Sequence, residues 1–295
     1  MTDVKNWMRS LSDDTPLCAI TIPGTHNSAS RFVSASWITK CQHTDIPRQL
    51  DMGVRLLDIR MELKGNTFTV VHAIIDCRKK RFLFSEKITF ADVLQDCLSF
   101  LDAHPTETLL VSIKEDDGHN GDVFFERFYK QFIHPNKDRW YLKNEFPPLG
   151  ECRGKIVLLR RCGLGNCREQ TDTGLDFSHW PDQGNRESSE PKICDLHNGK
   201  QTCTVQDRYA HYQKEKWEKC IVPAMQKAVA DKNTACLHAT STAGGLLPFV
   251  SSRYINRRLL SYLNGNRRYY GWFMADFITQ ELCESIIACN DGITA

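Results

Sequence analysis

The feature that most limits the fold of this chain is a repeated alternation of short apolar segments with longer amphipathic ones. The predicted strands are residues 18–22, 54–63, 67–71, 108–113, 155–159, 204–207, 235–241 and 269–277. The predicted helices are residues 90–101, 124–132, 212–231, 255–263 and 279–288. Strand followed by helix, seven or eight times in 295 residues, indicates an α/β TIM-type (β/α) barrel, which we expect to be distorted or incompletely closed. A doubly wound open sheet is the alternative, but no glycine-rich dinucleotide fingerprint supports it.

The clearest predicted helix begins after Thr89. Thr89 and Asp92 form a capping-box pattern, and the apolar residues that follow recur at the spacing of one helix face. Residues 163–202, rich in Gly, Asn, Ser and Asp, are predicted to be mostly loop, and a loop of this length inside a compact domain is usually functional or mobile.

One strand carries an unusual pair of charges. If residues 54–63 are a strand, Leu56, Asp58 and Arg60 share one face, so a carboxylate and a guanidinium lie side by side. A hairpin through residues 64–66 then brings His72 beside them. Together these groups could hold a phosphate-sized ligand, although a surface hairpin with one exposed ion pair remains the alternative.

Composition excludes some classes of protein. The formal charge of +2 gives no case for a nucleic-acid partner. We predict neither a signal peptide nor a transmembrane segment, because the first residues lack an apolar core and no stretch approaches 18 apolar residues. The 13 cysteines lie mostly in apolar runs and favour a reducing, cytoplasmic location, with secretion as the alternative. No CxxC motif occurs, so a structural zinc is not expected, although Cys162, Cys167, Cys194 and Cys203 leave that possibility open.

Charged residues follow several predicted strands, as they do at the active sites of TIM barrels. The segments that carry them resemble, in order, those of the bacterial-type phosphatidylinositol-specific phospholipase C (PI-PLC) family. The resemblance extends over roughly residues 5–290 and implies one catalytic barrel domain covering residues 1–295. The matching segments are ITIPGTHNS (residues 20–28), GVRLLDIR (53–60), VH (71–72), ETLLVSIK (107–114), RGKIVLLRR (153–161), VQDRY (205–209) and WFMAD (272–276).

The resemblance implies a role for each group that the chemistry needs. Cleavage of a phosphodiester beside a free hydroxyl requires a base, an acid and a fixed positive charge. By the family's pattern, His26 is the base that deprotonates the inositol 2-hydroxyl, and His72 is the acid that protonates the diacylglycerol oxygen. Asp276 orients His26, while Arg60, positioned by Asp58, stabilises the charged phosphorane. The expected products are diacylglycerol and inositol 1,2-cyclic phosphate, with slower hydrolysis of the cyclic ester.

Two positions bear on metal use. The calcium-dependent animal relatives carry a carboxylate where this chain has Arg60, and a guanidinium and a divalent cation do not share one position comfortably. We therefore predict no metal and no cofactor. Asn27 departs from the Asp that is typical of the bacterial enzymes, and we interpret it as a hydrogen-bonding substitute that lets the pKa of His72 fall.

The remaining matches concern the substrate. Lys114, Arg161 and Asp207 correspond to inositol-contacting positions and Tyr209 to a ring-stacking tyrosine, so phosphatidylinositol or a glycosylated form of it at a membrane surface is the expected ligand. Apolar residues predicted to contact the membrane are Trp37, Leu246 and Leu247, with core packing as the alternative. We expect a monomer.

Two other functions remain open. One is a metal-dependent barrel phosphodiesterase, such as a glycerophosphodiesterase, which would use clustered carboxylates. The other is a catalytically weak module that binds inositol lipids, suggested by Asn27.

Overall fold

The computed structural model describes residues 3–34, 36–82, 84–116, 118, 120–167, 171–230, 234–245 and 247–291. Its strands are β1 (Gly24–Thr25), β2 (Leu56–Lys64), β3 (Thr67–His72), β4 (Ile75–Asp76), β5 (Leu109–Glu115), β6 (Trp140–Tyr141), β7 (Ile156–Arg160), β8 (Leu175–Asp176), β9 (Lys192–Asp195), β10 (Thr202–Gln206), β11 (Ala235–Ala239) and β12 (Trp272–Met274). Its α-helices are α1 (Ser36–Thr39), α2 (Ile46–Asp51), α3 (Phe90–Ala103), α4 (Gly121–Phe128), α5 (Leu149–Cys152), α6 (Gln213–Glu215), α7 (Val222–Ala230), α8 (Pro248–Gly265) and α9 (Gln280–Ile287).

The strands form a barrel that one seam leaves open. Parallel pairing runs through β8, β7, β5, β2 and β1, and through β10, β11 and β12. Parallel bridges from Ile22 to Trp272 and from Thr25 to Ala275 join the two groups of strands. Among the described residues, no strand pairing joins β8 to β9 or β10. There the side chain of Asn144 bridges the gap, accepting from Asp176 N at 2.8 Å and donating to Leu196 O at 2.7 Å. The predicted distorted, incompletely closed TIM-type barrel is therefore confirmed.

Alternation along β2 separates two apolar layers. Leu57, Ile59 and Met61 belong to the cluster between the strands and the outer helices. Leu56 belongs to the cluster inside the barrel, and Asp58 and Arg60 follow it on the same face. The predicted arrangement of this strand is confirmed, and it directs both charges into the barrel.

The predicted strand at residues 18–22 is wrong. Residues Leu17–Ala19 form a 3₁₀ turn, and pairing with a neighbouring strand begins only at Ile22. Pro16 and Pro23 flank the predicted strand and cannot donate to a ladder. Gly24 then passes so close to the opposite strand that an added Cβ would lie 2.3 Å from Phe273 O, so the turn into the site depends on glycine.

Other boundaries differ in detail. The capping box at Thr89 and Asp92 is present, and α3 extends two residues beyond the predicted end. The predicted helix 212–231 is interrupted by a π-helical segment, Lys216–Ile221, between α6 and α7. The predicted loop 163–202 contains β8 and β9. These differences arise because tertiary contacts, as well as local periodicity, set where an element begins and ends.

A buried ion pair lies at the other end of β2. Arg55 Nη2 and Glu107 Oε2 are 2.9 Å apart, and both side chains are fully buried. Arg55 also donates to Leu50 O, Val54 O and Lys5 O. With these partners the guanidinium is satisfied without water.

Candidate active site

One cavity of about 470 Å³ collects the polar residues that follow the strands. His26 follows β1, Asp58 and Arg60 lie on β2, and His72 ends β3. Further lining residues come from the ends of other strands and from the loop between β8 and β9: Lys114, Arg161, Ser178, Trp180, Asp182, Asp207, Tyr209, Ser241 and Thr242. The structure thus brings together residues that are up to 250 positions apart in the sequence, at the barrel end where TIM-barrel active sites lie.

His26 is held in one orientation. Its Nδ1 lies 2.7 Å from Asp276 Oδ1, so this nitrogen carries the proton and donates to the carboxylate. Its Nε2 lies 3.0 Å from both Arg60 Nη2 and Asn27 Nδ2, which are donors, and is therefore the acceptor nitrogen. Gln42 fixes the loop by donating to His26 O at 2.9 Å. This arrangement leaves a basic nitrogen directed at the cavity.

His72 lies across the cavity from His26. The two ring centroids are 6.1 Å apart and the rings are nearly perpendicular. His72 Nδ1 donates to Thr39 O at 2.5 Å, which leaves Nε2 available for a ligand. Burial, and secondly the charge of His26, lower the pKa of His72.

Arg60 and Asp58 form the floor between the two histidines. Arg60 Nε lies 3.3 Å from Asp58 Oδ2, and Arg161 Nη1 lies 3.4 Å from Asp58 Oδ1. Burial disfavours the charged form of Asp58, but the two guanidinium groups outweigh it and hold the pKa of Asp58 well below its usual range. Asp58 therefore stays ionised and fixes both arginines.

Asn27 contacts His26 and is connected to His72 through Cys41. It has a φ of 42°, a left-handed conformation that Asn tolerates better than most residues. Its Nδ2 lies 3.9 Å from Cys41 Sγ, which in turn lies 3.8 Å from His72 Nδ1. Its buried Oδ1 has no hydrogen-bond partner among the described residues. The amide nitrogen therefore donates to His26, and the role of Asn27 as a hydrogen-bonding substitute stays a prediction.

The opposite wall contains the residues expected to contact inositol. Arg161 stacks on Trp180, with its Cζ 3.8 Å from the ring centroid, and Trp180 Nε1 donates to Asp207 Oδ2 at 3.0 Å. Tyr209 donates to Asp182 Oδ1 at 2.6 Å, which raises the pKa of Tyr209 to about 12.

Sequence reasoning missed Trp180 and Asp182. The only signal for them was the length of the loop on which they lie. It also missed Asp116, which accepts from Lys114 Nζ at 2.8 Å and from Ala73 N at 2.8 Å. Asp116 thereby joins β5 to the turn that follows His72.

A buried lysine supports the wall near Asp276. Lys216 is fully buried and donates to Thr242 O at 2.7 Å and to Ser241 O. Burial lowers the pKa of Lys216 to about 8. No pattern in the sequence distinguishes this residue from the other lysines of the predicted helix 212–231.

Among the described residues, the ligand atoms of His26, Cys41 and Asp276 form a cluster within 4.8 Å of one another. Burial raises the pKa of the Cys41 thiol well above its ordinary value, and the Asp276 carboxylate already accepts from His26. A protonated thiol and an occupied carboxylate, next to the Arg60 guanidinium, are a poor set of ligands for a divalent cation. The four cysteines considered for zinc form no such cluster in the described ranges.

The residues expected at the membrane lie in different environments. Trp37 is 68% exposed and Leu247 is 37% exposed, so Trp37 is not packed in the core. Leu246 lies outside the described residues. In the part of the chain that the structure describes, no helix has the length and apolar character needed to cross a membrane.

Comparisons with known proteins agree with this geometry. Residues 14–162 match the family model described as phosphatidylinositol-specific phospholipase C, X domain. The 1-phosphatidylinositol phosphodiesterase of Staphylococcus aureus (strain Newman) is 30% identical over 293 residues, which cover 92% of this chain and 88% of the relative. That of Listeria monocytogenes is 26% identical over 306 residues, which cover 97% of this chain and 85% of the relative.

Solved structures give the same result. The phosphatidylinositol-specific phospholipase C of S. aureus matches with a TM-score of 0.81 and 26% identity over 97% of both chains. The L. monocytogenes enzyme matches with a TM-score of 0.77 and 25% identity over 98% of this chain and 99% of that one. The chain therefore belongs to the phosphatidylinositol-specific phospholipase C family that is defined by the X domain.

Proposed function

We propose that this phospholipase C cleaves phosphatidylinositol into diacylglycerol and inositol 1,2-cyclic phosphate without a metal ion. The observation that carries the proposal is the placement of two imidazoles 6.1 Å apart, with the Arg60 guanidinium 3.0 Å from one of them. A phosphorus atom between the rings would have a base on one side, an acid on the other and a positive charge beside it.

The proton transfers follow from the two ring orientations. His26 Nε2 takes the proton of the inositol 2-hydroxyl, whose oxygen then attacks phosphorus. The resulting imidazolium is stabilised by Asp276, which accepts from Nδ1. As the bond from phosphorus to the glycerol oxygen breaks, His72 Nε2 gives its proton to that oxygen. Running the transfers in reverse opens the cyclic ester: His72 takes a proton from water, whose oxygen attacks phosphorus, and His26 returns its proton to the 2-oxygen of inositol as that bond to phosphorus breaks.

Arg60, held by Asp58, is placed to stabilise the negative charge that develops on the phosphorane oxygens. Arg60 is oriented by Asp58 and lies within 3.8 Å of Asp116, so its planar group is fixed before the substrate arrives. Donors that are already in place for a developing charge contribute more than donors that must reorganise. A fixed cation at this position supports metal-independent catalysis.

The opposite wall supports recognition of the inositol ring. Lys114, Arg161 and Asp207 offer both donors and a carboxylate acceptor to ring hydroxyls, and Tyr209 stands at the rim for stacking. We infer a preference for phosphatidylinositol or its glycosylated form over polyphosphorylated inositides, because an added ring phosphate would face Asp207.

We further infer that residues 1–295 act as a single catalytic domain and that the enzyme works as a monomer. The single domain is supported by the positions of Asp207 and Asp276. Both lie outside the segment that matches the X domain, yet Asp207 lines the cavity and Asp276 accepts a hydrogen bond from His26. Trp37, Leu246 and Leu247 are proposed to contact the membrane.

Phosphorus NMR of phosphatidylinositol vesicles in EDTA tests the proposal. We expect the cyclic phosphate resonance to appear with the native protein and to be absent with His26→Ala. Loss of activity in EDTA would favour the metal-dependent phosphodiesterase. Vesicle binding without release of diacylglycerol would identify a lipid-binding module instead.

A further inference from the structure

A hairpin beside the cavity carries exposed aromatic and cationic side chains that have no role in the proposed catalysis. Residues 77–82 and 84–88 run antiparallel to each other, with a bridge between Arg78 and Lys87 and a hydrogen bond from Ile88 N to Cys77 O at 2.8 Å. Ser85 closes the tip by accepting from Lys80 N at 2.9 Å. We call residues 77–82 and 84–88 the basic hairpin.

The tip of the basic hairpin exposes aromatic rings. Phe84 is 95% exposed and Phe82 is 75% exposed, so neither ring packs against the rest of the chain. Withdrawing one phenylalanine ring from water is worth about 10- to 100-fold in a partition equilibrium. Two rings exposed this far on one hairpin indicate a surface that becomes buried against a partner.

The same tip carries cations without carboxylate partners. Residues 78–81 read Arg-Lys-Lys-Arg, the longest uninterrupted run of cationic residues in the chain. The other hairpin cations have partners, since Lys79 pairs with Glu86 and Lys87 pairs with Asp76. Lys80 and Arg81 form no ion pair with any described residue.

The hairpin adjoins the mouth of the cavity. Arg78 N donates to Phe32 O at 2.8 Å, which attaches the hairpin to the segment that leads from His26 to α1. Burial, and then the charges of Arg31 and Arg81, lower the pKa of Lys40. Lys40 directly follows Thr39, the residue whose carbonyl holds His72.

Exposed apolar residues continue along the same rim. Trp37 and Ile38 lie on α1, and Ile74, which is 89% exposed, lies in the turn between β3 and β4 next to His72. Lys40 also lacks an ion-pair partner among the described residues. The rim on the His72 side therefore combines apolar and cationic groups.

We propose that the basic hairpin is a docking element for anionic membrane, in which Phe82 and Phe84 enter the interface while Lys80, Arg81 and Lys40 contact lipid phosphates. The occupant is a lipid surface because the hairpin borders a cavity whose proposed substrate is a membrane lipid, so this inference rests on the proposed function. Negative lipid headgroups complement the three unpaired cations.

Vesicle sedimentation tests this docking independently of catalysis, because the vesicles contain no phosphatidylinositol. The probes are pure phosphatidylcholine vesicles and vesicles that contain about 30% phosphatidylserine. Lys80→Gln/Arg81→Gln should weaken binding to the anionic vesicles on the order of 30-fold at low salt and leave binding to neutral vesicles unchanged. This difference should vanish at about 0.5 M salt.

Phe82→Ser/Phe84→Ser should weaken binding to both kinds of vesicle at least tenfold. Matched controls lie away from the hairpin: Lys200→Gln, before β10 at the opposite end of the barrel, and Ile193→Ser, an exposed apolar residue on β9. Neither control should change binding, and thermal unfolding checks that every variant is folded.

Three results would overturn the proposal. The first is native protein that does not bind anionic vesicles, and the second is hairpin variants that bind as the native protein does. The third is a concentration-dependent dimer in sedimentation velocity that Phe82→Ser/Phe84→Ser abolishes without any effect on vesicles. Absence of phospholipase activity would refute the proposed function but would leave the vesicle measurements able to decide this inference.

Discussion

Replacing Asn27 with Asp is the sharpest test of how this site controls its acid. The change keeps the shape of the side chain and its left-handed backbone, but adds a negative charge near both histidines. Cys41 Sγ lies 3.9 Å from Asn27 Nδ2 and 3.8 Å from His72 Nδ1, so these two nitrogens are at most about 7.7 Å apart.

That distance sets the size of the effect. A unit charge at this separation stabilises protonated His72 by about 2 kcal/mol at an effective dielectric constant near 20. Arg60, which also lies beside residue 27, partly offsets the added charge. We therefore expect the pKa of His72 to rise by roughly 1 to 2 units.

The rate against pH is the direct assay. Since His72 must be protonated to act as the acid, and burial lowers its pKa, activity of the native enzyme should fall as pH rises through that lowered pKa. In Asn27→Asp the alkaline limb of kcat should move upward by roughly 1 to 2 pH units.

Asn27→Gly is the matched control, because glycine accepts the positive φ and adds no charge. An alkaline limb that stays in place in Asn27→Asp would refute the reasoning. So would an equal upward shift in Asn27→Gly, because the cause would then be loss of the amide.

The other predictions concern single groups. Arg60→Ala should lower kcat roughly 10³-fold in EDTA, because the fixed donor beside phosphorus is lost, and a loss below tenfold in a steady-state assay would contradict its role. Glu107→Gln should lower the free energy of unfolding in urea by about 3–5 kcal/mol, because Arg55 is left buried and unpaired, while Glu151→Gln in an exposed pair should cost less than about 1 kcal/mol. The contribution of Lys216 to the free energy of unfolding should increase from about pH 8 to pH 10. Over this range the unfolded chain still binds the proton that the folded chain has lost. The free energy of unfolding of the native protein minus that of Lys216→Met should therefore increase with pH over that range, and a difference independent of pH would contradict the lowered pKa.

Local patterns in the sequence determined several parts of this protein. The two-residue periodicity of β2 placed Asp58 and Arg60 on the face that enters the barrel, and the turn at Gly65 and Asn66 returned the chain so that His72 came beside them. The capping box fixed the start of α3. These features depend on residues within a few positions of one another, and steric and hydrogen-bonding rules act strongly at that range.

Contacts between distant segments were decided only by tertiary structure. Asp276 contacts His26 because bridges from Ile22 to Trp272 and from Thr25 to Ala275 bring the first and last strands together. Trp180 contacts Arg161 from a loop whose sequence carries no periodic pattern. The buried charge of Lys216 depends on carbonyl groups of residues 241 and 242, which no local rule connects to it. The physical reason is that burial and electrostatic environment arise only in the assembled barrel, where segments far apart in sequence exclude water from one another's polar groups.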